Sequence, residues 1–352
     1  MKQTINKAVT ICESLPLDHP DLFFNEDIPY PLLQPKDLIV KVKAISINPA
    51  DSRARLRKIK DGRKTVLGWD VVGDVVDVGP EASGDFKVGD VVYYAGDINR
   101  SGGNCTYHAI DSRLVAYAPK TIDPGNAAAL PLVSLTAWEA LFDRFGLPFF
   151  TSNNSLDSPQ NSEKTSTILI LGAAGGVGSM AIQLAKLVPS LKIIATASRP
   201  ESKAWCKKLS ADYVIDHNKH IVEQLIEIGH SEVDYVLICN SPDNYFKILP
   251  QIVRPFGKVC NIVPFSEPQN FNALMHKSIS FHWEFMFTYS SFDQNSMISQ
   301  SKTLAKISEL IDTKLLVSPE NLRLKGITAE TIKVAHQIIE KKSSIGKIVI
   351  VS

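Results

Sequence analysis

Leu169-Ile-Leu-Gly172-Ala-Ala-Gly175-Gly176-Val-Gly178-Ser-Met-Ala-Ile-Gln-Leu-Ala185 joins two apolar stretches of different period through a cluster of glycines. Ile168–Leu171 reads as a buried parallel strand, and the pattern from Val177 to Leu187 reads as a helix. Each glycine has a physical task in a strand–turn–helix that holds a dinucleotide. One permits the tight turn, one lets the backbone approach a pyrophosphate, and one lets helix and strand pack closely. The segment Ala174, Gly175, Gly176 and Val177 would cradle the anion, because unpaired N–H groups and the helix dipole favour negative charge there. Glycines alone would also fit a turn in some other doubly wound protein. The strand before them and the helix after them favour a nucleotide.

About twenty residues on, a second apolar strand, Leu191-Lys-Ile-Ile-Ala-Thr-Ala, ends in Ser198-Arg199, with Lys203 one turn later. In such a fold this is where the adenosine ribose is read, and an NAD enzyme usually places an acid there. An acid would repel a 2′-phosphate, whereas a guanidinium binds one bidentately. Ser198, Arg199 and Lys203 therefore point to NADPH, the alternative for Lys203 being an ordinary surface cation.

Around this centre the 352 residues are enough for two domains, since one core rarely grows past about 250–300 residues. Lys and Arg number 38 against 37 acids, leaving +1, so no basic field points to nucleic acid. No apolar run reaches membrane-spanning length, no signal-peptide core opens the chain, and five scattered cysteines offer no disulfide framework. A cytoplasmic protein is expected. The first part reads as β-rich: Ile5–Ile11, Asp37–Ile47, Val66–Gly79 and Val88–Tyr94, with Gly-Asp turns that suggest a small closed barrel. Asn126–Phe145 turns helical. Thr151–Ser166 is polar and reads as a surface loop. Strands follow at Asp234–Cys239, Gly257–Val263 and Ser278–Trp283, then helices around 296–312 and 329–341, and a closing strand, Gly346–Val351. Asn240 ends the fourth strand of the second half, where open α/β sheets bind ligands.

Ser46-Ile-Asn48-Pro-Ala-Asp51, Gly68-Trp-Asp-Val-Val-Gly73, Leu130-Pro-Leu-Val-Ser-Leu-Thr-Ala-Trp138 and the glycine turn together resemble the medium-chain dehydrogenase/reductases over nearly the whole chain. Within them the match is to the zinc-free quinone oxidoreductase branch, near the zinc-type alcohol dehydrogenase-like proteins. Ala195–Ser202 and His282–Met286 resemble that narrower group. The resemblance implies an α/β chain: a GroES-like β-barrel catalytic domain over 1–128, a Rossmann domain with a doubly wound parallel sheet over 129–285, and a C-terminal return to the first domain over 286–352. It places the cofactor in the cleft between them. It also implies that Val133 and Thr136 lie beside the nicotinamide and that Lys347 approaches the cofactor. A homodimer paired through the last Rossmann strand is expected by the same resemblance.

Alcohol dehydrogenases of this family hold catalytic zinc with a Cys where this chain has Asn48 and a His where it has Trp69. Neither amide nor indole is a useful zinc ligand. The four-cysteine lobe of a structural zinc is reduced to Cys105 in the span 96–111, and Cys105 with His108 is a pair rather than a site. No metal is expected. Without a Lewis acid, the scaffold suits hydride acceptors that are already electron-poor: quinones and α,β-unsaturated carbonyls. Asn48 is the candidate donor to the substrate carbonyl. Asp51 braces its loop or acts as a cap, and Tyr94 is a candidate proton donor or a core-edge tyrosine. The chain departs from the family at Ser210, where glycine is usual, and at Asp216-His217, where other quinone reductases carry Asn-Tyr. Two alternatives stand beside the reductase: an NADPH-binding protein with little turnover, crystallin-like or RNA-binding, and a zinc alcohol dehydrogenase with unusual ligands.

Overall fold

The computed structural model describes residues 5–82, 84–149 and 165–352. It divides into two compact units, Met1–Leu135 with Phe287–Ser352, and Thr136–Met286. Residues 151–164 of the polar stretch fall outside the described residues.

The first unit is built on the strand Asp37–Ile47, whose eleven residues are almost all buried. It pairs antiparallel with Asp70–Val78, while its first half also pairs with Tyr107–Asp111 and its last four residues with Lys347–Val351. The mixed sheet runs Glu320–Lys325, Lys347–Val351, Asp37–Ile47, Asp70–Val78, Val91–Tyr94, Ala116–Tyr117. The closing strand therefore returns to the first unit, where Ile348 faces Ile47 and Val349 faces Ser46. A three-stranded sheet adds Phe24–Ile28, Asn6–Ile11 and Thr65–Val66. Phe24–Ile28 and Glu320–Lys325 were not expected from sequence. Their residues, FNEDI and ENLRLK, are polar enough to hide the alternation that marks a strand.

The second unit carries six parallel strands in the order Tyr213–Ile215, Leu191–Thr196, Ser166–Leu171, Val233–Ile238, Val253–Asn261, Ser280–Trp283. The three central strands Leu191–Thr196, Ser166–Leu171 and Val233–Ile238 are largely buried on both faces, as a sheet covered by helices requires. The chain reverses direction across the sheet at Ser166–Leu171, which places the glycine turn at the topological switch point. At the departure at Ser210 the backbone takes φ +77°, a left-handed turn that glycine would adopt without strain. Among the described residues no helix is long and apolar enough to cross a membrane.

Candidate active site

In the first unit, sheet alternation gathers a buried polar group. Ser46 lies opposite Asp70 on one side and Val349 on the other, so all three point to one face, and Asn48 and Lys347, two residues from Ser46 and Val349, follow on that face. The Asp70 carboxylate sits at the centre. Its Oδ2 accepts from Asn48 Nδ2 at 2.7 Å, Lys347 Nζ at 3.0 Å and Ser46 Oγ at 3.2 Å. Its Oδ1 accepts from the backbone N–H of Leu132 at 2.8 Å, in the first turn of the helix Pro131–Trp138. Lys347 also donates to Ile47 O at 3.1 Å and to Asn48 Oδ1. An ammonium has three hydrogens, and these three acceptors take them all. Lys347 thus holds Asn48 in place.

The amide of Asn48 is fixed in one orientation. Its oxygen must face the ammonium and its nitrogen the carboxylate, which leaves one N–H of Nδ2 beyond those contacts. Asp51 accepts the Asn48 backbone N–H on Oδ2 at 2.6 Å at the start of the helix Pro49–Arg57. Its Oδ1 is buried and has no hydrogen-bond partner. Burial pushes the Asp51 carboxyl up to about 7, against the pull of the Asn48 N–H and of Lys347.

Tyr94 does not join this group. It lies opposite Val71, the neighbour of Asp70, and so on the other face of the sheet. His108 donates from Nε2 to Ser101 O at 2.8 Å, so its Nδ1 accepts the Tyr94 hydroxyl at 2.9 Å. Burial pushes the Tyr94 phenol well above its usual value and the His108 ring down to about 4. The pair is a sealed core contact, not a proton donor. Trp69, at the place of a zinc-binding His, donates its indole N–H to Asp97 O at 3.1 Å and meets Phe287 edge-on. Among the described residues no three His, Cys, Asp or Glu side chains converge as a metal site.

In the second unit, the helix Gly176–Lys186 starts at Gly175 directly after the turn. Gly172 has φ +78°, its N–H donates to Thr196 Oγ at 3.0 Å, and a methyl group on it would strike the Asn240 side chain at 2.7 Å. Asn240 is thereby brought to the turn, as expected of the fourth strand's end. A methyl on Gly178 would lie 2.5 Å from the backbone of Ala173, so this glycine serves close helix–strand packing. A methyl on Gly175 would meet nothing nearer than Gly172 O at 3.5 Å. That open face, with the helix N–H groups of Gly176 and Val177 and the half-buried Ala174 beside it, fits a pyrophosphate. Half-buried Ser198 and exposed Arg199 stand at the end of the next strand, Arg199 as the cap of the helix Pro200–Lys208. Lys203 forms an ion pair with Asp216 at 3.1 Å and is thereby held near the strand's end. Val133 and Thr136 lie one turn apart on the helix Pro131–Trp138, both buried. Asp70 and Thr196 were missed as site residues by sequence reasoning; each makes its contact across strands, and only pairing register could have found it.

The family model for the alcohol dehydrogenase GroES-like domain matches residues 34–126, and that for the zinc-binding dehydrogenases matches residues 176–301. A zinc-type alcohol dehydrogenase-like protein of Staphylococcus aureus is 39% identical over 314 residues, covering 89% of this chain and 90% of the relative. The chain is a medium-chain dehydrogenase/reductase. Its two domain types are those of the family, and like its relatives it is an oxidoreductase. This medium-chain dehydrogenase/reductase is also similar to an NADPH-dependent alkenal/one oxidoreductase of Arabidopsis thaliana chloroplasts, 32% identical over 249 residues, which cover 68% of this chain and 60% of the relative. Among solved structures, a Rhizobium etli protein provisionally called a zinc-dependent alcohol dehydrogenase matches with TM-score 0.91 and 36% identity over 99% of this chain and 98% of the other. Escherichia coli quinone oxidoreductase, solved with NADPH, shares the fold at TM-score 0.81 and 20% identity, over 98% and 100% of the two chains.

Proposed function

We propose that this protein is an NADPH-dependent reductase that passes hydride to a quinone or an α,β-unsaturated carbonyl without zinc. The observation that carries the reading is the locked Asn48 amide. Lys347 and Asp70 fix its orientation, and its remaining N–H is a preorganised donor for an acceptor oxygen that gains charge. Bound NADPH would supply the hydride. The glycine turn would hold its pyrophosphate, and Ser198 and Arg199 its 2′-phosphate. Zinc has no ready place in this arrangement, because Trp69 offers an indole already committed to Asp97. The similarity to an alkenal/one oxidoreductase and to a quinone oxidoreductase solved with NADPH supports the same class. The reading includes a cytoplasmic homodimer joined along the edge strand Ser280–Trp283.

The test is oxidation of NADPH and, separately, NADH by metal-stripped protein with a quinone, an enone and a simple aldehyde. Turnover of NADPH with the quinone or enone, and little with the aldehyde, is expected. Activity that returns only with added zinc, or that is confined to the aldehyde, would overturn the reading.

A further inference from the structure

The helix Pro49–Arg57 begins at Asn48 and opens a strongly basic stretch: Arg53, Arg55, Arg57, Lys58, Lys60, Arg63 and Lys64. Most of these cations are neutralised within the fold. Arg55 is buried and bonds to Leu15 O and to Glu340 at 2.9 Å. Lys58 pairs with Asp61, Lys60 with Glu13 and Lys64 with Glu26. Arg63 is exposed at the turn that follows.

Arg53 and Arg57 are different. Among the described residues neither has an ion pair or a side-chain hydrogen bond. They stand at i and i+4, so two like charges share one helix face, an arrangement that disfavours the helix. Arg53 is also half-buried, and burial together with Arg57 lowers its affinity for its proton. A half-buried guanidinium beside a second one, on a helix whose other arginine is paired, has the chemistry to hold an anion. Helical rise puts Arg53 roughly 7.5 Å along the axis from Asn48, and Arg57 about 6 Å beyond it. The face they share, with Ala50, is separate from the buried face of Asp51, Ser52 and Arg55.

We propose that Arg53, assisted by Arg57, selects hydride acceptors that carry an anionic group, a carboxylate or phosphate, one short carbon chain away from the reducible carbonyl. The proposal rests on the reductase reading for the carbonyl end at Asn48. The guanidinium gives the acceptor a second anchor. With the carbonyl on the Asn48 amide and the anion on Arg53, the electron-poor carbon between them has one orientation. The same anion chemistry could come from a cofactor phosphate, and the test separates the two sources.

The probes are 4-oxo-2-pentenoate and its methyl ester, an enone pair that differs in charge and by one methyl group. Levulinate, the saturated acid, serves as a ligand that takes no hydride. Wild-type protein is expected to favour the acid over the ester at least tenfold in kcat/KM, and to lose that preference in high salt. R53Q is expected to erase the preference by raising KM for the acid, leaving the ester and the affinity for NADPH unchanged. R57Q should do so in part. Levulinate binding, followed by calorimetry, should weaken at least tenfold in R53Q. Equal wild-type kinetics for acid and ester, or levulinate binding unchanged in R53Q, overturns the proposal. Loss of NADPH affinity in R53Q with the acid preference intact assigns the anion to the cofactor and also overturns it. If neither enone is reduced but levulinate binding depends on Arg53, the reductase reading fails and the anion site stands.

Discussion

At the scale of single residues, Lys347 and Asp70 form a buried ion pair whose worth lies in what it holds. Two charges removed from water gain little net stability from each other, but removing one partner strands the other. Lys347→Met should destabilise the protein by about 3–5 kcal/mol in urea unfolding, through the orphaned Asp70 carboxylate. Adding Asp70→Asn should recover much of that loss, although both variants free the Asn48 amide and should lower kcat together. Additive losses in the double variant would show that the two side chains do not act as a pair. Arg199 is a separate matter, because it stands exposed at a helix cap. Arg199→Ala should weaken NADPH binding at least tenfold and leave NADH binding nearly unchanged, since only the former carries a 2′-phosphate. Equal losses for both nucleotides in a fluorescence titration would remove Arg199 from the phosphate site.

At the scale of elements, the glycine turn separates two roles within one motif. Gly178→Ala forces a methyl into the backbone of Ala173 and should destabilise the second unit by about 1–3 kcal/mol. Gly175→Ala meets only an ordinary contact, so thermal unfolding should barely move. The methyl would nevertheless fill the open face of the turn, and NADPH affinity should fall at least tenfold. If Gly175→Ala binds NADPH as wild type does, the pyrophosphate does not lie there. This turn was fully legible in the sequence because every feature is local: strand, glycines, helix and second strand fall within thirty-odd residues. Apolar strands such as Asp37–Ile47 and Ser166–Leu171 were legible for the same reason, through their period. Glu320–Lys325 was not, since a polar strand at a sheet edge carries no apolar signal. Neither was the contact between Asp70 and Lys347, which are 277 residues apart in sequence. Sequence reading named Asn48, Asp51 and Tyr94 as one catalytic group and Lys347 as a cofactor contact; the structure joins Lys347 to Asn48, and register separates Tyr94 from both. It sits on a strand next to Asp70, one residue out of step, and a single step along a strand turns a side chain to the opposite face.

At the scale of the whole molecule, three buried groups of the first unit act in opposing senses on how its stability responds to acid. Burial lowers His108 to about 4 and His336 to about 3, from an ordinary 6.5. His336 lies against Phe23, with Nδ1 at 3.2 Å from Ser52 Oγ, and it folds as the neutral ring. A group whose folded pKa is depressed contributes stability that is complete above its unfolded pKa and is lost as pH falls toward the folded one. Both histidines therefore make stability rise with pH up to 6.5. Asp51 acts in the opposite sense, because burial raises it from 3.8 to about 7. Its contribution is complete below 3.8 and is lost as pH climbs through 7. Between pH 4 and 6.5 two gains and one loss leave a net slope of one proton, about 1.4 kcal/mol per pH unit from these three groups. His336→Asn removes one gain, at the expense of packing against Phe23, which shifts the whole curve without changing its slope. Urea unfolding of this variant at pH 4.5, 5.5 and 6.5 should give a dependence flatter than wild type by up to that one-proton slope. Asp51→Asn should steepen it by a similar amount. Curves that run parallel to wild type across this range would mean that these side chains meet water in the folded protein, and that the burial on which the argument rests does not govern their protons.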